Sequence, residues 1–352
     1  MKTEVDGMDL IDSALSYNPS DTDLFKARIS VCGIGGGGSN TIQRLARSGI
    51  TGANLIAVNT DGKHLNTLDP SIKRVLIGGT LTRGLGAGGF PEMGAKAAEY
   101  SRTEIDNAIG DCNLLFVTAG MGGGTGSGAA PIVARVAKEK GALVVGVVTF
   151  PFALERSRLK TAQKAINELK TFADTVIVID NQRLFEVYRN VAMDQAFKIA
   201  DEVAVRAVRG ITESISSPGL INVDFADVKA IMSNRGLAMI SVGEGQGHNK
   251  IDDVVNSTLK NKLLDVDYEG TTGVMLAIKG GEDLTLGDAN TIATRLTEEA
   301  APNANVIWGA RIDPAYAGKV EVMGIFTGVK SPMILGEPAR TESKDSLDLG
   351  EL

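Results

Sequence analysis

The chain has 352 residues, 43% hydrophobic and 22% charged, with a formal net charge of −7 and a mean hydropathy of +0.05. That length permits two domains and a large core. The acidic balance argues against nonspecific nucleic-acid binding, which needs a basic face, and two histidines outside any metal-ligand spacing argue against a zinc site or a Ser-His-Asp triad.

The first 26 residues are acidic and polar, with no basic region leading into an apolar core, so they read as a solvated extension and not as a signal peptide. Then come short, continuously apolar runs rich in β-branched residues: 28–34, 53–59, 74–78, 113–119, 142–150 and 175–180. This is the pattern of strands buried on both faces of a parallel sheet. Helix-like segments separate most of them, such as "SNTIQRLARSG" and "PIVARVAKEKG", each closing on glycine. The alternation predicts a doubly wound α/β domain. Cys32 and Cys112 form no CxxC and read as reduced thiols of a cytosolic protein. The uncharged span 113–134 has the length of a membrane helix, but its glycines, Thr125 and Ser127 argue against one.

From Met193 the pattern changes to about 25 residues with no proline and one glycine, a helix roughly 37 Å long. Its apolar positions spread around the circumference, so it is expected to be buried on several faces, as a spine between two domains. Beyond it, alternating helix-like and strand-like segments to Lys330 predict a second, α+β domain. The expected organisation is therefore an acidic extension (1–26), a nucleotide-binding domain (27–192), a connecting helix (193–217), an α+β domain (218–330) and a polar tail (331–352).

Three glycine-rich stretches follow three of the predicted strands. "GIGGGGSN", Gly33 to Asn40, contains a GxGxxG, with Asp61 closing the second strand, which fits a dinucleotide fingerprint. "GGGTGSG", Gly122 to Gly128, spends five of seven positions on glycine, which suggests that something approaches the backbone. "RGLGAGGFP" runs from Arg83 to Pro91. Together the three can surround a triphosphate, and no GxxxxGK[ST] of a P-loop occurs.

These loops, with "AVNTD", "PFALER" and "NVDFADV" in the same order and spacing, resemble the tubulin/FtsZ family on its FtsZ side, over roughly residues 27–330. The resemblance implies a GTPase that assembles head-to-tail with itself into cytoskeletal filaments, in the cytoplasm at the division site. It also implies membrane-adaptor and division-protein partners, and no direct membrane insertion. GTP or GDP would be bound with Mg²⁺ held through the nucleotide phosphates, without a dedicated metal site on the protein. Gly36, Gly37, Gly38 and Asn40 would face the α- and β-phosphates, opposite Gly124, Thr125 and Gly126. Ala87 and Gly88 would approach the γ-phosphate, and Ser39, Asn59, Asp61 and Gly123 would also belong to the nucleotide-binding set. Glu155 and Arg158 would hold the ribose side, although the commoner bacterial spacing has one more residue between acid and base. Asn181 and Asp201 would read guanine, with Phe197 stacked on the base. Phe197 and Asp201 are four apart on one predicted helix, so they share a face.

The same resemblance makes Asp224 and Asp227, helped by Asn222, the catalytic residues, delivered to the γ-phosphate of the next subunit. Acids at that position are also ordinary helix N-caps. Two rival functions are a tubulin-like paralogue acting in cell shape or regulation, and an NAD-dependent oxidoreductase built on Gly33–Gly38 and Asp61. The second leaves "GGGTGSG" and "NVDFADV" unexplained. After the last predicted strand, "GVKSPMILG" resembles archaeal members of the family, and Pro332–Leu335 is the one apolar stretch of the tail.

Overall fold

The computed structural model describes residues 27–187, 192–216, 219–221, 223–233, 236–261, 271–298 and 300–331. The predicted extension, Asn222 and the Pro332–Leu335 stretch lie outside the described residues. Among the described residues ten strands form one sheet, with β1 (Ile29–Ile34), β2 (Ala53–Asn59), β3 (Lys73–Leu76), β4 (Leu114–Gly120), β5 (Leu143–Phe150) and β6 (Thr175–Asp180) in the order β3-β2-β1-β4-β5-β6, all parallel. This is the doubly wound arrangement, in which ligands collect at the carboxyl ends of the strands where the winding reverses.

The α+β half adds β7 (Gly236–Gln246), β8 (Gly273–Gly280), β9 (Asn305–Ile312) and β10 (Lys319–Val329) in the order β7-β10-β8-β9. It joins the first half through a short parallel seam, Thr175–Ile177 against Gly236–Ala238. β10 is antiparallel to both β7 and β8. Strand residues alternate between two cores: Cys32 and Ile34 of β1 point to one face, Ile29 and Val31 to the other. Burial pushes both thiols up, Cys112 to about 11, so they are inert.

Twelve helices cover the described chain. Those that position the site are α1 (Gly35–Arg47), α2 (Gly62–Asn66), α4 (Pro91–Tyr100), α6 (Gly124–Glu139), α7 (Arg156–Phe172), α8 (Asn181–Val187), α9 (Met193–Ser216) and α10 (Phe225–Met232). The others are α3 (Gly79–Thr82), α5 (Arg102–Ile109), α11 (Lys250–Lys260) and α12 (Leu286–Thr297). Two helices begin earlier than their propensities indicate. α1 starts at Gly35 instead of Ser39, and α6 at Gly124, seven residues before Pro131. The glycine stretches are therefore partly first turns of helices, fixed by tertiary packing that overrides the low helix propensity of glycine.

α9 is the long connecting helix and is buried on several faces, through Ala204, Val205, Val208 and Ile211 among others. On its polar side Arg206 pairs with Glu244 and Glu321, and Arg311 with Glu213, tying it to the α+β half. Among the described residues no helix is long and apolar enough to cross a membrane, and the uncharged span divides into β4, a turn and α6.

Candidate nucleotide site

At the carboxyl ends of β1, β4 and β5 lies an open cleft of about 400 Å³. Two helices aim their N-termini into it. α1 presents Gly36 and Gly37, and α6 presents Gly124, Thr125 and Gly126 after Gly123. Neither N-cap, Ile34 or Gly123, supplies a side-chain hydrogen bond to the first turn. The leading N–H groups of two helices thus converge without side-chain caps, and their dipoles favour an anion between them.

The glycines divide by task. Gly36 and Gly123 leave room for a ligand: a methyl on Gly123 would meet nothing within 4 Å, and one on Gly36 would lie 3.9 Å from the His64 ring. The others let protein approach protein. A methyl on Gly38 would overlap the Thr118 carbonyl, and one on Gly128 the Pro91 carbonyl at the start of α4. On Gly126 it would come 2.6 Å from the Gly120 oxygen, and on Gly124 2.9 Å from the Ala87 methyl. Gly122 has φ +96°, and its N–H donates to the buried Ser127 Oγ at 2.8 Å. Most of "GGGTGSG" therefore serves close packing of loops and helices, and a smaller part faces the cleft.

The other end of the cleft is built from α8, α9 and the turn after β5. Asn181 is buried and its Oδ1 has no hydrogen-bond partner among the described residues, though the residue lines the cleft. A buried acceptor left unpaired is costly unless a ligand satisfies it. Phe197 is 45% exposed, braced edge-on by Phe152 at 5.3 Å, and leaves a ring face available. One turn further along α9, the Asp201 carboxylate accepts from Arg44 Nε at 3.1 Å. Burial raises the Asp201 carboxyl above its ordinary range, with Arg44 pulling the other way. Arg158 Nη1 donates to Glu155 Oε2 at 2.6 Å, and the Phe152 N–H donates to Glu155 Oε1 at 3.2 Å, so the shortened spacing still brings acid and base together.

The cleft thus gathers Gly36, Gly37, Asn40, Gly123–Gly126, Glu155, Arg158, Asn181, Phe197 and Asp201. Ala87 packs on Gly124 beside it, and Gly88 is exposed in the same loop. Gly38 and Ser39 are buried behind the first turn of α1. Asn59 and Asp61 do not line the cleft: the Asp61 N–H donates to Asn59 Oδ1 at 3.2 Å, and Asp61 Oδ1 caps α2 by accepting from the His64 N–H at 3.1 Å. Nor do Asp224 and Asp227, which form a capping box on α10. Asp224 Oδ1 accepts from the Asp227 N–H at 2.7 Å, and Asp227 Oδ2 from the Asp224 N–H at 3.4 Å.

Arg44, Thr60 and His64 are site neighbours absent from the sequence-based set. Thr60 Oγ1 and Thr125 Oγ1 lie 2.7 Å apart, tying the β2 end to the second glycine loop. Arg44 stands four residues after Asn40, one helical turn down α1, and that spacing was the available signal.

The sequence profile of the tubulin/FtsZ family GTPase domain matches residues 28–189, and that of the FtsZ C-terminal domain matches residues 236–330. The chain belongs to the tubulin/FtsZ family. It is 53% identical over 342 residues to "Cell division protein FtsZ 2" of Methanocaldococcus jannaschii, covering 95% of this chain and 89% of that one. It is 47% identical to the "Cell division protein FtsZ 2" of Haloferax volcanii, covering 94% and 82%. Among solved structures, "FtsZ dimer, empty (M. jannaschii)" superposes with a TM-score of 0.83 at 46% identity, over 88% of this chain and 92% of that one. CetZ1 of Haloferax volcanii shares the fold, with a TM-score of 0.76 at 22% identity, over 87% and 96%.

GTPase chemistry and binding of GTP or GDP follow from membership in the tubulin/FtsZ GTPase family. The cleft fits such a ligand: two helix N-termini for phosphates, and the unpaired Asn181 acceptor for an N–H-bearing base. The NAD-dependent alternative is excluded by the family. Among the described residues no three metal-binding side chains cluster, and both cleft carboxylates, Glu155 and Asp201, are engaged by arginines.

Proposed function

We propose that this chain hydrolyses GTP in a site that is completed only by the next copy of itself, so that turnover follows head-to-tail assembly. The observation that supports the reading is that the cleft and the far end of α9, which leads to the acids, lie at opposite ends of the parallel strands. The cleft lies at the carboxyl ends of the parallel strands. The far end of α9 lies at their amino ends, where a methyl on Gly52, just before β2, would come within 2.8 Å of Ser216 Oγ. The last turn of α10 reaches that edge too, where Thr175 Oγ1 at the start of β6 donates to the Met232 carbonyl at 2.6 Å. From Asp201 to Ser216 the helix rise amounts to about 22 Å. A head-to-tail repeat along this axis brings the acids of one copy to the cleft of the next. A contact of that kind that does not close gives a filament.

Within the cleft, Gly36, Gly37 and Asn40 on one side and Gly124, Thr125 and Gly126 on the other hold the α- and β-phosphates. Gly38, Ser39, Asn59, Asp61 and Gly123 shape the loops that do so. Ala87 and Gly88 approach the γ-phosphate, and Glu155 and Arg158 fix the ribose side. Asn181 and Asp201 accept from guanine while Phe197 stacks on it. From the neighbouring copy, Asp224 and Asp227 orient the water that attacks the γ-phosphorus, GDP departs through the bridging oxygen, and Asn222 supports their loop. Mg²⁺, when bound through the nucleotide phosphates, would supply charge neutralisation for that transfer. The division of labour is a nucleotide domain (27–192), a connecting helix (193–217) and an α+β domain with the catalytic loop (218–330).

The curated relatives' names and the dimeric relative support a role in the cell-division ring through self-assembly. In that role the protein works in the cytoplasm at mid-cell and reaches the membrane through adaptor and division proteins. The test is GTP turnover per molecule across a dilution series, read beside sedimentation. Activity should be near zero when dilute and rise steeply where filaments first pellet. Constant activity per molecule at dilutions well below assembly would refute the shared site.

A further inference from the structure

We propose that His64 is a positioning residue of the phosphate side of the cleft: its imidazole passes a fixed hydrogen-bond polarity from the β2–α2 corner to Asn40, turning the Asn40 amide N–H₂ toward the ligand. The proposal rests on the nucleotide reading of the cleft.

The polarity begins at the backbone. The Asp61 N–H donates to Asn59 Oδ1 at 3.2 Å, which fixes the Asn59 amide with its nitrogen on the other side. That nitrogen lies 3.4 Å from His64 Nδ1. An amide N–H₂ only donates, so Nδ1 must accept, and a neutral imidazole then carries its proton on Nε2. Nε2–H in turn donates to Asn40 Oδ1 at 3.2 Å. With its oxygen occupied, Asn40 keeps an Nδ2 that has no partner among the described residues, on a side chain that lines the cleft. The opposite amide orientation would present a carbonyl oxygen to phosphate oxygens and be repelled.

The corner is well placed for this task. The His64 N–H is itself held by Asp61 Oδ1 at 3.1 Å, and Thr60 of the same corner meets Thr125 of the second glycine loop at 2.7 Å. Asn59 is 2% exposed, so its amide has no solvent to trade against. One corner thus sets both glycine-rich helix starts: α1 through His64 and Asn40, α6 through Thr60 and Thr125. His64 does not line the cleft and acts only through Asn40.

The experiment is equilibrium titration of nucleotide-free, full-length protein with GDP, for wild type, His64→Ala, His64→Gln, Asn40→Ala and the double variant His64→Ala/Asn40→Ala. His64→Ala should bind about three- to tenfold more weakly, the scale of one lost neutral hydrogen bond. His64→Gln should recover most of that, because its amide also offers one donor and one acceptor. Asn40→Ala should lose at least as much, and the double variant no more than Asn40→Ala alone, since the relay has nothing left to aim. Wild-type affinity in His64→Ala beside weak binding in Asn40→Ala overturns the relay and leaves the nucleotide reading standing; so do losses that simply add. Wild-type affinity in Asn40→Ala overturns the relay together with the nucleotide role of Asn40. No GDP binding by the wild type overturns both readings.

Discussion

At the residue scale, Asp201, the proposed guanine acceptor, is held at a cost to stability. Its carboxylate is 17% exposed, burial raises its proton affinity, and one arginine contact offsets this only in part. The sign is fixed by linkage. A carboxyl whose folded value is raised binds its proton more tightly in the native chain, so stability falls as pH rises from the ordinary carboxylate range through the raised value. Asp201→Asn removes the buried charge, and Arg44, one-third exposed, can turn to water. The nucleotide-free variant should therefore melt above wild type at pH 7 in a calorimetric scan. The same variant should bind GDP about ten- to a hundredfold more weakly, because an amide cannot accept two parallel N–H bonds as a carboxylate does. A lower melting temperature with unchanged GDP affinity would mean that the Arg44 pair is structural and that guanine is read elsewhere.

At the element scale, two helix starts carry opposite messages. α10 begins with a full capping box, whose loss through Asp224→Ala should cost about 1 kcal/mol of stability. Asn is as good a cap as Asp, so Asp224→Asn separates capping from catalysis. It should melt like wild type and still sediment with GTP, yet turn over GTP about a hundredfold more slowly or worse. Normal turnover would leave Asp224 as a cap and nothing more. α6 begins with glycines that packing requires. Gly128→Ala forces a methyl onto the Pro91 carbonyl and should lower the melting temperature by several degrees, whereas Gly123→Ala, in open space, should leave it unchanged. The strands of the first half were legible in the sequence almost to the residue, as at 53–59 and 175–180, because buried β-branched runs have few alternatives. The starts of α1 and α6 were not, because what makes glycine helical there is Thr118, Gly120 and Pro91, brought from elsewhere in the chain. The charged and aromatic cleft residues were legible through motif spacing. The Asn59–His64–Asn40 chain was not, since it joins residues whose side chains meet only after β1 and β2 pair.

At the scale of the whole molecule, one sheet carries the cleft at one edge and the far end of a 24-residue helix at the other, and the proposed acids follow that helix in the chain. Neither edge is a complete site under the proposed mechanism, and this makes the two halves separable by mutation. Asp224→Asn keeps the cleft and its cap but loses the acid. A cleft-blocking partner must leave the fold alone, and Gly36→Leu suits this: Gly36 is exposed, has no left-handed φ, and nothing but the His64 ring comes within 4 Å of an added methyl. Gly126 is unsuitable, because any side chain there presses on the Gly120 carbonyl. Each variant alone should hydrolyse GTP poorly, the first for want of an acid and the second for want of nucleotide. Mixed in equal amounts with GTP and Mg²⁺, they should recover turnover at every junction where a sound cleft meets sound acids. That occurs in about a quarter of junctions if copies mix at random and head-to-tail contacts are the only ones used. The recovery should rise with total protein along the sedimentation curve and vanish on dilution. A mixture no more active than the sum of its parts, while sedimentation shows both variants in the same pellet, would place Asp224 in the service of its own chain's cleft and overturn the shared site.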